Sequence, residues 1–231
     1  MTGAARRRLA AGLLLACLAA TARAEAVTEI RYADREPDGS TYQSRILIAG
    51  ERMRMDYGRD DEDFILYDRK AKAVYLVAHL ARRITEIAAA KPTVKTPKGW
   101  RVKLDSQPSG KDRLTQARLN DKLCAEFKNA DLLRDEARLM ADFRQALSAN
   151  QAAAWAATPA ELRDGCQWLM DVKEAGAEYR RGLLLALRQA DGRSRVYQSH
   201  AGREVPADLF ALPADYTRMR IGGTETRGGG K

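Results

Sequence analysis

The sequence predicts an α+β protein in which a curved antiparallel β-sheet, a half-barrel-like meander, is covered on one face by helices. Three observations lead there. Apolar residues alternate with period two through residues 27–87, an amphipathic stripe runs through residues 131–150, and alternation returns over residues 183–199. Alternation sends successive side chains to opposite faces of a strand, whereas apolar residues three and four apart mark a helix. Strands, then helices, then strands again make one layered structure with its helices on one side of the sheet.

The meander supplies the first elements. Tyr42, Ser44, Ile46 and Ile48 share a face of one strand, Gly50-Glu51 turns the chain, and Met53, Met55 and Tyr57 share a face of the next, with Arg52, Arg54 and Asp56 opposite. Residues 64–68 and 73–79 follow, joined by the polar turn 69–72, and residues 83–87 close the series. Connections this short imply neighbouring strands in one twisted sheet. Residues 91–112 are rich in Lys, Pro, Gly and Ser, and they predict a linker or long loop anchored by Trp100 and Val102. A hairpin follows, residues 114–119 and 123–128, turning at Asn120-Asp121.

Helix begins beyond it. Leu132, Leu139, Met140, Phe143, Ala146 and Leu147 fall on one stripe, which should cover an apolar surface. Thr158-Pro159-Ala160-Glu161 has the form of a capping box with proline at the first helical position, and it predicts a second helical stretch over residues 162–172. Residues 183–189 and 195–199 then form a hairpin across Asp191-Gly192, a dipeptide suited to tight β-turns.

The amino terminus carries an address. Arg6, Arg7 and Arg8, the apolar run 9–20 and Ala22-Arg23-Ala24 make the positive, apolar, small-residue order of a signal peptide spanning residues 1–24 and cleaved after Ala24. The run is shorter than the roughly 20 residues a membrane-spanning helix needs. A rival assignment takes Leu14-Leu15-Ala16-Cys17 as a lipobox, making Cys17 the lipid anchor of a lipoprotein. Cleavage after Ala24 removes four arginines and no acid, taking the net charge from +9 to +5. The expected mature protein is periplasmic, one domain over residues 25–220 with a helical insertion at about 130–173, and a disordered Gly-rich tail over residues 221–231. Cys124 and Cys166 then remain as an even pair in an oxidising compartment, which predicts one disulfide.

Chemistry-bearing motifs are scarce. His79 and His200 are the only histidines, and neither belongs to a metal or nucleophile signature. The sequence therefore assigns no catalytic residue, metal ligand or cofactor, and predicts no enzyme. Asp60, Asp61, Glu62 and Asp63 lack the spacing of a calcium loop and suit a solvated hairpin tip. Met53 and Met55 could hold a cuprous ion, but the alternation that continues to Tyr57 favours core packing. Arg45, Arg52 and Arg54 suit a solvated face, with contact to an anionic membrane surface as the alternative. The basic residues are too scattered for nucleic acid. Met53, Met55, Tyr57, Leu66 and Phe143 are the expected lining of an apolar groove for acyl chains, the competing outcome being that they close a dry core.

The strands in residues 45–87, the segment Cys124-Ala125-Glu126-Phe127 and the run Val205-Pro206-Ala207-Asp208-Leu209-Phe210-Ala211-Leu212-Pro213-Ala214-Asp215-Tyr216 resemble a domain-of-unknown-function family of small exported bacterial proteins. That family is similar in fold to periplasmic lipoprotein carriers of the LolA, LolB and LppX type. The resemblance implies a half-barrel sheet holding lipid chains, and it carries over no catalytic residue. The leading expectation is a periplasmic, non-enzymatic binding or carrier protein for a lipid, lipoprotein or other apolar ligand. The alternative is a structural or interaction module of the cell envelope with a fully packed core. The sequence is silent on oligomeric state.

Overall fold

The computed structural model describes residues 24–92 and 95–221. The expected signal peptide and the rival anchor at Cys17 fall on residues 1–23, and the Gly-rich tail on residues 222–231, so both lie outside the described residues except at their borders: Ala24 opens the first strand and Ile221 ends the last.

Among the described residues twelve strands form one sheet. They are β1 (Ala24–Arg35), β2 (Thr41–Ala49), β3 (Arg52–Asp56), β4 (Phe64–Asp68), β5 (Ala73–Ala78), β6 (Arg83–Ala88), β7 (Val102–Ser109), β8 (Asp112–Leu119), β9 (Lys122–Ala130), β10 (Leu183–Gln189), β11 (Ser194–Pro206) and β12 (Thr217–Ile221). Their order across the sheet is β12-β6-β5-β4-β3-β2-β1-β11-β10-β9-β8-β7. Neighbours run antiparallel except β12, which lies parallel to β6. Between β9 and β10 the chain forms α1 (Arg134–Ala157) and α2 (Gly165–Trp168), the latter widening into a π-turn over Leu169–Lys173.

This overturns the expected α+β class. Among the described residues 47% are strand and 22% helical, and the sheet is mixed rather than a purely antiparallel meander under a cover of helices. The cause lies in strands whose side chains do not alternate in polarity. Strand β7 falls in the segment expected to be a linker and is half exposed, and every residue of β12 is exposed. Backbone pairing alone holds such edge strands, so no apolar pattern announces them. The helical side is also smaller than expected. Thr158 ends α1, its hydroxyl donating to Ala154 O at 3.0 Å, instead of opening a capping box. The short helix α2 starts only after Asp164, whose side chain accepts from Cys166 N.

Turn chemistry fixes the hairpins. Asn120 and Asp121 both take positive φ, 48° and 68°, the conformation a two-residue type I′ connection requires. The helix α1 carries Asp135 and Glu136 in its first turn, where carboxylates complement the positive end of the helix dipole.

Two apolar layers result. On one face of the sheet Ile30, Ile46, Ile48, Met53, Tyr67 and Val74 pack with Ala137, Met140 and Phe143 of α1. On the other, Val27, Leu47, Phe64, Leu66, Val77 and Ile84 pack under Phe210, with Leu209, Leu212 and Tyr216 alongside. At the far end of α1, Trp100, Trp155 and Trp168 meet edge to face or tilted at centroid distances of 5.2 to 6.4 Å. The expected disulfide is present: Cys124 of β9 is bonded to Cys166 of α2 across a separation of 42 residues. Closing a loop of that size stabilises by roughly 4 kcal/mol on the chain-entropy argument.

Candidate functional site

A cavity of about 350 Å³ lies between α1 and the sheet, lined on its apolar side by Ile46, Met53, Met55, Met140, Phe143 and Leu187. The strand register explains the first three. Ile46 pairs with Met55 and Ile48 with Met53, so the alternate residues of β2 and β3 point to the same face. The helix supplies Met140, Phe143 and Arg144 at three- and four-residue spacing, which puts them over one stretch of strand.

The remaining wall is ionic. Asp34 accepts from Arg195 Nε at 2.6 Å through Oδ1 and from Ser44 Oγ at 2.6 Å through Oδ2. Arg195 also donates to Tyr179 Oη at 3.0 Å. Across the cavity Arg144 donates to Asp171 at 2.6 Å and to Glu178 at 3.1 Å. Burial works against the charge of both arginines. Tyr179 and Asp34 around Arg195, and Glu178 and Asp171 around Arg144, more than restore it. Burial likewise raises the Tyr179 hydroxyl above its ordinary range, although Arg195 pulls the other way. These groups are held there by a glycine. Gly176 has φ +78°, and a Cβ on it would sit 2.5 Å from Ala141 O, so only glycine lets the loop press against α1 and deliver Glu178 and Tyr179 inward.

The cavity shares Tyr42, Met55 and Arg195 with a second depression of about 290 Å³, lined by Tyr57, Ile65, Leu76 and Thr85 among others. At the junction burial and a 2.8 Å hydrogen bond from its hydroxyl to Glu36 raise Tyr42 above its usual pKa. The two spaces together form an apolar floor with charged and hydroxyl groups along one side. Arg195 and Arg144 are each matched by a carboxylate, so this part of the wall offers paired charges and fixed dipoles.

The five residues expected to line a groove divide. Met53, Met55 and Phe143 line the cavity, and Tyr57, 61% exposed, stands at the rim of the second depression. Leu66 does not belong with them. It pairs with Arg54, on the opposite face from Met53 and Met55, and is buried under the 205–216 segment side of the sheet. Parity across the Tyr57–Asp63 connection decides the face, and alternation within each strand leaves that parity open.

The arginines expected on a solvated face are also placed otherwise. Arg54 is 2% exposed, and Arg45 is buried beside it. Both donate to Asp56 at 2.8 Å, and Arg54 also donates to Leu209 O at 2.8 Å and stacks 3.9 Å over the Phe64 ring. Arg52 lies over Phe210 and pairs with Glu25. Of the acidic run, Asp60 pairs with Arg45, Asp61 with Arg59, and Asp63 accepts His79 N. His79 Nδ1 meets Tyr216 Oη at 2.8 Å, and His200 Nδ1 meets Tyr197 Oη at 2.6 Å.

Sequence reasoning missed the ionic wall. One signal was available: Asp34 is in phase with Ile30 and Tyr32 along β1, so a carboxylate had to share the face of two core residues. Arg144 and Glu178 carried no comparable mark.

Neither a family model nor a curated protein matches this sequence. Two solved structures of PNGF-II, in the P21 and C2 crystal forms, overlap 84% and 85% of the chain at 15% and 14% identity, with TM-scores of 0.33 and 0.34. The chain spans 31% of the length of each, and a likeness of that size fixes neither fold nor function.

Proposed function

We propose that the protein is a non-enzymatic binding or carrier protein of the periplasm whose ligand is an amphiphile, its apolar part lying along the methionine floor and its polar part against the ionic wall. The observation that carries this is the joined pair of spaces, one between α1 and the sheet and the other over the neighbouring strands. Met53, Met55, Met140 and Phe143 form an adaptable apolar lining, and Asp34, Arg195, Tyr179 and Glu178 converge beside it. Binding sites of this kind combine an apolar surface with a few fixed polar groups that orient the guest. Methionine side chains flex to fit chains of different shape. The signal-like amino terminus and the disulfide support an exported protein.

The test is extraction of the purified protein followed by lipid mass spectrometry, with titration of a fluorescent fatty-acid probe. Co-purified lipid, or saturable probe binding that Met55→Trp abolishes by filling the junction, is the expected result. An empty extract with no probe response in the wild type would defeat the carrier reading and leave the envelope interaction module.

A further inference from the structure

A third space, a cleft of about 720 Å³, opens away from the methionine floor, between the β7–β8 turn, the first half of α1 and the loop before β10. Its walls carry six cationic side chains and three carboxylates. All three carboxylates are already matched. Asp112 pairs with Lys128, Asp142 with Arg69 and Asp131 with Arg134. Two of the remaining cations are matched as well, Arg138 by Asp135 and Arg180 by Glu174. Lys111, Arg113 and Arg181 are left: among the described residues none of them has a carboxylate within ion-pair distance, and all three line the same cleft. Three uncompensated charges around one concavity focus a positive potential there.

The floor adds an independent feature. Asn129 lines the cleft and is 1% exposed. Its amide nitrogen donates to the carbonyls of Glu178 at 2.7 Å and Gly182 at 3.3 Å, which fixes the orientation of the group because only the nitrogen can serve two acceptors. Its Oδ1 is buried without a partner among the described residues. A buried acceptor in that condition calls for a donor.

We propose that this cleft is a binding site for a phosphate ester that also carries hydroxyl groups, the phosphate held by Lys111, Arg113 and Arg181 and a hydroxyl directed to Asn129. Guanidinium groups suit this because they present paired donors to two phosphate oxygens at once. The chemistry is common to a free polyol phosphate and to the glycerol phosphate head of a lipid. The site is separate from the methionine-lined cavity and does not depend on its occupancy.

The experiment is a calorimetric titration of the purified protein with glycerol 1-phosphate, inorganic phosphate and glycerol, beside vesicle co-sedimentation with phosphatidylglycerol and with phosphatidylcholine. Glycerol 1-phosphate is expected to bind saturably and more tightly than inorganic phosphate, glycerol alone not to bind, and rising salt to weaken the complex. Arg113→Ala with Arg181→Ala should weaken binding at least about tenfold while leaving the circular dichroism spectrum unchanged. Sedimentation with phosphatidylglycerol vesicles that glycerol 1-phosphate displaces identifies a lipid head as the source, and binding of the soluble ester without vesicle binding identifies the free compound. No saturable binding, or an affinity untouched by the double substitution, overturns the site. Equal affinity for inorganic phosphate and glycerol 1-phosphate overturns the hydroxyl contact at Asn129.

Discussion

Strands β2 to β5 present two faces to two different covers, and the contrast between them separates what holds the molecule together from what it leaves open. On the face under α1, Met53 and Met55 border empty space and the nearby ions line its wall. On the reverse face, Phe64, Leu66 and Val77 are closed over by Phe210, and Arg45, Arg54 and Asp56 form a buried ionic knot tied to the Leu209 carbonyl. The same strands are therefore closed over behind, whereas in front their packing against α1 is interrupted by a cavity. A deletion should hurt in proportion to how completely its surroundings are filled.

The largest effect expected from this contrast is at the knot. Asp56→Ala leaves the buried Arg54 without its carboxylate and should cost about 3–5 kcal/mol, read as a drop in the urea midpoint. A loss of under about 1 kcal/mol would mean that water reaches the reverse face freely. Next is the link between β9 and α2. Cys124→Ala with Cys166→Ala should cost about 2–4 kcal/mol and loosen the helical side of the cavity. Weakened fatty-acid probe binding alongside a lower thermal midpoint would show both effects at once.

A matched pair of truncations sharpens the contrast further. Leu66→Ala, on the packed face, should cost about 2–3 kcal/mol, whereas Met55→Ala, already beside a cavity, should cost less than about 1 kcal/mol. Equal losses would erase the distinction between the faces. The smallest effect is one of pH. Burial pushes the Asp56 carboxyl up, but hydrogen bonds from Arg45, Arg54 and Gly58 N together hold it below the ordinary carboxylate range. Its folded pKa being depressed, its contribution is complete above about pH 4 and is lost as pH falls through the lowered value. Asp56→Asn should accordingly give a less stable protein whose stability falls less steeply on acidification below about pH 4.

What the sequence announced and what it concealed follow the same division. Strand β4 and strand β10 were legible to the residue, because local alternation and flanking turns define them. The cysteine pairing followed from counting. Leu66 and the three arginines were assigned to the wrong surroundings because alternation says which residues share a strand face and nothing about what distant chain covers it. Here the cover comes from residues more than a hundred positions later, as the bond from Arg54 to Leu209 shows. Edge strands β7 and β12 were invisible since exposed side chains leave no period to detect. Half of the ionic wall was hidden for a related reason: Asp171, Glu178 and Arg195 meet only after α1, α2 and β11 have been brought together.

The parallel docking of β12 beside β6 bears on how the protein is made. Its approach segment carries Phe210 across strands synthesised well over a hundred residues earlier, and contacts so distant along a chain form slowly. Until they form, a greasy flank of Phe64, Leu66 and Val77 stands naked. A truncated or stalled product ending before that segment would keep the flank bare and be drawn to chaperones and proteases.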